Sequence, residues 1–234
     1  NDDDAPTVTI EQGATQSDPT SGSPITCDVV FDKPVTGFDD GATDVGLSSS
    51  TAGGTLTATI APVGGATTEY TVTVTGMTTS GVVLATIPAN AAQDGGLRGN
   101  GPSTSIDNSV TWDTTAPTVT INQGTTQSDP TSTSPIVFDV VFSEPVTGFT
   151  TGDVTLASTA GTPLTATVTG SGTTYTVNVT GMTQDGNITA TLMAGIATDT
   201  ATNPNTASTS TDNTVTYNYD EGDTTAPTVT INQG

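Results

Sequence analysis

Ile136-Val-Phe-Asp-Val-Val-Phe142 sets Ile136, Phe138, Val140 and Phe142 at every second position and leaves Asp139 between them. A period of two belongs to a β-strand with one face buried and one in water, because successive side chains leave the backbone on opposite sides. Ile25-Thr-Cys-Asp-Val-Val-Phe31 repeats the pattern 111 residues earlier. Further out, Ala-Pro-Thr-Val-Thr-Ile begins at Ala5, Ala116 and Ala226, so the spacings are 111 and 110 residues. A repeat of that length is a whole domain, not a solenoid unit. The chain therefore divides into two full units, 1–112 and 113–222. A last stretch, 223–234, reads as the first strand of a third repeat or a donor strand for a neighbour.

Aligning the copies gives seven strand-like segments in each. They are Thr7–Ile10 with Thr118–Ile121, Ile25–Phe31 with Ile136–Phe142, Asp44–Ser48 with Asp153–Ala157, and Leu56–Ile60 with Leu164–Val168. Tyr70–Val74 with Tyr175–Val179, Val83–Ile87 with Ile188–Leu192, and Ser109–Trp112 with Thr214–Tyr217 complete the set. Seven short alternating strands per unit, divided by turn signals, predict an all-β fold: immunoglobulin-like two-sheet sandwiches in tandem, arranged end to end. Threonine, 57 of 234 residues, suits such half-exposed pleated surfaces. Length differences between the copies fall near Asp39–Asp44 and Pro62–Thr68, between strands, where loops absorb them. Only Asp113, Thr114 and Thr115 separate Trp112 from Ala116, which predicts a semi-rigid link.

The net charge of −22 comes from 24 acids against Lys33 and Arg98 alone. That excludes nucleic acid and anionic membrane surfaces as partners, since both need basic patches. It fits solubility, salty surroundings or divalent cations. Cys27 is alone and Phe138 stands at its place in the second copy, so it reads as a buried strand residue and no disulfide forms within the chain. No apolar run approaches the ~20 residues of a membrane span. The chain has no His, which removes Ser-His-Asp and Cys-His catalysis, and no paired carboxylates lie in an evident aromatic-lined cleft; the expectation is not an enzyme.

Phe142-Ser-Glu-Pro-Val-Thr-Gly-Phe149, Gly152-Asp-Val-Thr-Leu156, Tyr175-Thr-Val-Asn-Val-Thr-Gly-Met182 and Ala197-Thr-Asp-Thr-Ala-Thr-Asn-Pro-Asn205 resemble the bacterial Ig-like repeats of large surface and secreted proteins. The resemblance covers both units and the third start. It implies a tandem spacer in an adhesin or surface stalk, located outside the cell, with calcium stiffening the repeats near their junctions.

The candidate metal ligands follow from strand direction. If successive strands alternate, the start of the first strand shares a pole with the second–third, fourth–fifth and sixth–seventh loops. In the second unit this gathers Asp113, Glu144, Asp199 and Asp212, with Asn203 and Asn205 as neutral oxygen donors. Asp18 belongs to the opposite pole of the first unit. Calcium takes about 6–8 oxygen ligands, which acidic loops supply. The first unit offers Asp2, Asp94 and Asp107 at matching places, but Lys33 replaces Glu144 and argues against an identical site. Ordinary turn chemistry of Asp and Asn is the competing account.

Three functions are in play. The first is a structural spacer of an extracellular repeat protein, its partners being neighbouring repeats or identical subunits and any cell-surface target lying in other regions. The second is a filament subunit joined head to tail by donation of the strand bearing Val229 and Ile231. The third is a carbohydrate- or protein-binding module, disfavoured by 4% aromatics. Asn178-Val-Thr180 and Asn187-Ile-Thr189 match the N-glycosylation pattern, which a threonine-rich chain meets readily by chance.

Overall fold

The computed structural model describes residues 4–220 and 229–231 and divides into two compact units. The first comprises Asn1–Thr115 with Thr200–Asn203, the second Ala116–Asp199 with Pro204–Gly234. Most of the stretch 223–234 lies outside the described residues, as does Asp2. No helix among the described residues is long and apolar enough to cross a membrane.

In the first unit, β1 (Val8–Gln12), β2 (Ile25–Phe31), β3 (Gly53–Pro62) and β4 (Glu69–Thr79) form an antiparallel sheet in the order β1-β2-β4-β3. A second layer pairs β5 (Gly81–Leu84) with β6 (Ser109–Trp112). The alternation seen in the sequence is what builds the core. Ile25, Cys27, Val29 and Phe31 of β2 are buried with Val8 and Ile10 of β1 and Tyr70, Val72 and Val74 of β4. Burying such side chains contributes about 1.5–3 kcal/mol each. Phe31, Phe38 and Tyr70 meet edge to face, with ring centroids 5.1–5.9 Å apart.

The second unit repeats the plan. Its strands are β7 (Val119–Gln123), β8 (Ile136–Val146), β9 (Val154–Ser158), β10 (Thr165–Thr180), β11 (Gly186–Leu192) and β12 (Thr214–Tyr217). They form two sheets, β10-β8-β7 and β12-β11-β9, and Phe142, Phe149 and Tyr175 repeat the aromatic triangle.

Among the described residues six strands, not seven, are regular in each unit, for two different reasons. In the first unit Asp44–Ser48 is reduced to a single bridge between Gly46 and Thr86. There the Asp44 carboxylate accepts the amides of Asp39 and Asp40 at 3.1 and 2.9 Å, which holds the chain in a turn. In the second unit the expected fourth and fifth strands fall within β10. Its backbone doubles back around Gly170 and Gly172, at φ +125° and +68°, tightly enough that a Cβ on Gly170 would lie 2.4 Å from the Thr174 carbonyl.

The connection into the last strand also departs from expectation. It does not cap a pole. Instead it runs parallel beside the first strand: the amides of Gly101 and Thr104 donate to the carbonyls of Pro6 and Val8, Ile10 donates to Ser105 Oγ, and Gln12 donates to the Asp107 carbonyl. Thr206, Thr209, Ser210 and Asp212 repeat these contacts against Pro117, Val119, Ile121 and Gln123. Ser103 and Ser208 reach the other way and accept the amides of Ile87 and Leu192. The segment thus covers the outer edge of β1 and of β7.

Candidate metal centre

The parallel run of the last connection separates residues that were expected together. Asp212 lies beside Gln123 at the far end of β7, its amide donating to Asn122 Oδ1 at 3.3 Å. Asp107 lies likewise beside Gln12, with its amide on Glu11 Oε2 at 2.7 Å. Neither belongs to the pole where the first strand begins, and both are removed from the ligand set. Their displacement has one cause: the connection is an extended edge segment, so its acidic end is carried a strand's length away.

Two more candidates are spent on structure. Asn205 is buried; its Oδ1 accepts the Ala197 amide at 2.9 Å, and its Nδ2 donates to the carbonyls of Met193 and Thr206 at 3.1 and 2.7 Å. Asn100 makes the same three bonds, to Ala92, Pro88 and Gly101. Its amide is a clamp on the loop rather than a metal ligand. Asp18 accepts the Thr111 amide at 2.9 Å, as Asp129 accepts that of Thr216, tying the first loop to the last strand.

Within the second unit, Glu144 and Asp199 do come together. Phe142, Glu144 and Val146 alternate along β8, so Glu144 shares the core-facing side but lies at its rim, half-buried. Beyond it, Thr147 and Thr198 exchange backbone hydrogen bonds of 2.8 and 3.0 Å, which pins the loop carrying Asp199. Asp199 is only 4% exposed, and carboxylate oxygens of Glu144 and Asp199 lie within 4.8 Å of one another. Two oxygens each bound to one calcium at ~2.3–2.6 Å can stand at most about 5 Å apart, so the pair suits a hard cation without rearrangement. The sequence from Asp113 onward contains no Lys, Arg or His.

The first unit treats the matching pole differently. Thr36 and Gln93 exchange the equivalent backbone bonds, 2.8 and 3.0 Å, and set Asp94 in the place of Asp199. Asp94 Oδ1 accepts the amides of Gly96 and Arg98 at 2.8 and 3.1 Å, while Oδ2 takes Arg98 Nε at 3.0 Å and a terminal guanidinium nitrogen at 2.8 Å. The Arg98 amide, foremost, and its guanidinium hold the Asp94 carboxyl below its ordinary range. A carboxylate so engaged is not a vacant metal ligand, and Asp94 too leaves the candidate set.

In the same unit Asp113 Oδ1 accepts Ser80 Oγ at 3.1 Å and the Thr115 amide at 2.9 Å, and the Asp113 carbonyl accepts Asn203 Nδ2 at 2.9 Å. The sequence had not pointed to Arg98. The available signal was that both basic residues of the chain, Lys33 and Arg98, fall at the first unit's counterparts of Glu144 and Asn203.

Residues 113–218 match the family described as bacterial Ig-like domain. Asp113, Glu144, Asp199 and Asn203 all fall inside the matched span. No curated protein matches the chain.

Proposed function

We propose that this chain is a structural spacer from an extracellular repeat protein, an adhesin or surface stalk, and that calcium neutralises the acidic pole of its second unit. The observation that carries this reading is the Glu144–Asp199 pair: two carboxylates within 4.8 Å, one almost wholly buried, in a stretch without any basic side chain. Like charges at that separation repel by roughly 3 kcal/mol at an effective dielectric of 20, less what solvent screens at the half-buried Glu144. A cation with carboxylate, carbonyl and water ligands removes that cost. The match to bacterial Ig-like domains supports the extracellular, non-catalytic part of the reading.

The test is thermal unfolding of the whole chain in calcium and in chelator. A ligand held only by the folded state raises the midpoint by mass action. The proposal expects a calcium-dependent midpoint in the wild type that Asp199→Asn and Glu144→Gln abolish. Identical curves in calcium and chelator sink it.

Assembly by strand donation has one observation in its favour. Asp223–Gly234 repeats Asp113–Gly124 residue for residue, and Val229 and Ile231 are 86% and 91% exposed where Val119 and Ile121 are buried. Against it, β1 and β7 already fill the first-strand slots, so donation buries one apolar pair by uncovering another. Electron microscopy showing filaments of the purified chain would promote this second reading over the spacer.

A further inference from the structure

Both basic side chains of a 234-residue chain with 24 acids belong to the first unit. Asp94-Gly-Gly-Leu-Arg98-Gly-Asn100 aligns with Asp199-Thr-Ala-Thr-Asn203-Pro-Asn205, and Phe31-Asp-Lys33 with Phe142-Ser-Glu144. The loops share their frame: Leu97 and Thr202 both take positive φ, +61° and +69°, and Asn100 and Asn205 make the same clamp. Asp94 and Asp199 are equally sequestered, at 5% and 4% exposed. What differs is charge. Arg98 places its guanidinium on Asp94 through two contacts of 3.0 and 2.8 Å, and Lys33 Nζ donates to the Asp4 carbonyl at 2.8 Å where the second unit carries an acid.

We infer that Arg98 is a built-in counter-ion that holds the first unit's pole without metal, so that the two units differ in their dependence on divalent cations. Its planar fork reaches one carboxylate oxygen through two nitrogens while its own amide holds the other, a geometry a lysine cannot reproduce. The charge is covalently supplied at a fixed distance, so dilution, chelation or low calcium does not remove it. The contrast with the second unit rests on the calcium reading given above; the role of Arg98 does not.

The chain contains a single tryptophan, Trp112, buried in the first unit, and its fluorescence follows the unfolding of that unit in the intact protein. The wild-type Trp112 midpoint is expected to be the same in calcium and in chelator. Arg98→Asn, which installs the residue found at the matching position of the second sequence repeat, is expected to lower it by roughly 4 °C or more in chelator, and Arg98→Lys to fall between the two. An Arg98→Asn midpoint equal to wild type overturns the inference. So does a wild-type Trp112 midpoint that rises with calcium, or an Arg98→Lys chain as damaged as Arg98→Asn, which would assign the loss to packing. Far-UV circular dichroism follows both units, so the part of its transition that Trp112 fluorescence does not share belongs to the second unit; if that part ignores calcium, the calcium reading fails while the Trp112 result still decides the role of Arg98.

Discussion

Asn205 holds Ala197 by a 2.9 Å bond from the Ala197 amide to its side-chain oxygen, and Asn100 holds Ala92 in the same way at 2.7 Å. In each case the amide nitrogen then closes the loop through two carbonyls. Replacing Asn205 by Ala leaves one buried donor and two acceptors without these bonds. The expected loss is about 2–4 kcal/mol of stability in the second unit. Asn205→Asp should recover little, because a carboxylate repels the two carbonyls. Urea unfolding of both variants measures this.

Acid should weaken the first unit through Asp94. Its folded carboxyl titrates below the unfolded value of 3.8, because of the Arg98 amide first and then the guanidinium and the Gly96 amide. A depressed carboxyl contributes stability that is complete above the unfolded value and is lost as pH falls through the folded one. Trp112-detected unfolding at fixed urea should therefore show a wild-type decline below about pH 4 that is smaller in Asp94→Asn. Equal declines in both proteins would remove Asp94 from the account.

Cys27 should be silent to thiol reagents until the first unit opens. Burial, and secondarily the neighbouring Asp28 charge, pushes its thiol up to about 11. A raised value means the stabilising effect of the neutral thiol is whole below the unfolded value of 9.0 and fades as pH rises through about 11. At pH 8 labelling should proceed only at the rate of unfolding and reach one thiol per chain in denaturant. Rapid labelling of the native protein would contradict the buried strand position.

Gly54 and Gly64 offer a paired test of the β3–β4 hairpin. Both have positive φ, +116° and +60°. A Cβ on Gly54 would lie 2.1 Å from the Gly76 carbonyl, whereas one on Gly64 meets nothing within 4 Å. Gly64→Ala should cost only the left-handed backbone, about 1–2 kcal/mol. Gly54→Ala must also displace the partner strand and should cost more; thermal melts giving the reverse order would mean the hairpin register is wrong.

How far the sequence carried depended on where each contact lay along the chain. β2 and the core of β8 could be placed residue for residue, because alternation of Ile25, Cys27, Val29 and Phe31 is a local signal with a period set by the backbone. Asp44–Ser48 misled because Val45 and Leu47 alternate correctly, yet Asp44 diverts the backbone into a turn through bonds no periodicity reveals. Glu144 and Asp199 were brought to one pole by counting strand directions. The same count misplaced Asp107 and Asp212, since it treated an extended edge segment as a compact loop. The clue was present in Ser103-Thr-Ser105 and Ser208-Thr-Ser210, whose hydroxyls stand in for a strand's carbonyls. Arg98 was hidden by its rarity, because one guanidinium in a strongly acidic chain looks incidental until the carboxylate it serves is seen.

The covered edge of β7 has a mechanical consequence. Chain enters the second unit at the start of β7 and leaves β12 at Tyr217, beside Thr131, which follows the far end of β7. A pull between those points runs along β7, at right angles to its ladder with β8 and to the bonds from Thr209 and Ser210. Loaded in shear, the two rows must rupture together instead of peeling one bond at a time, so the strand that begins the unit is also its tether.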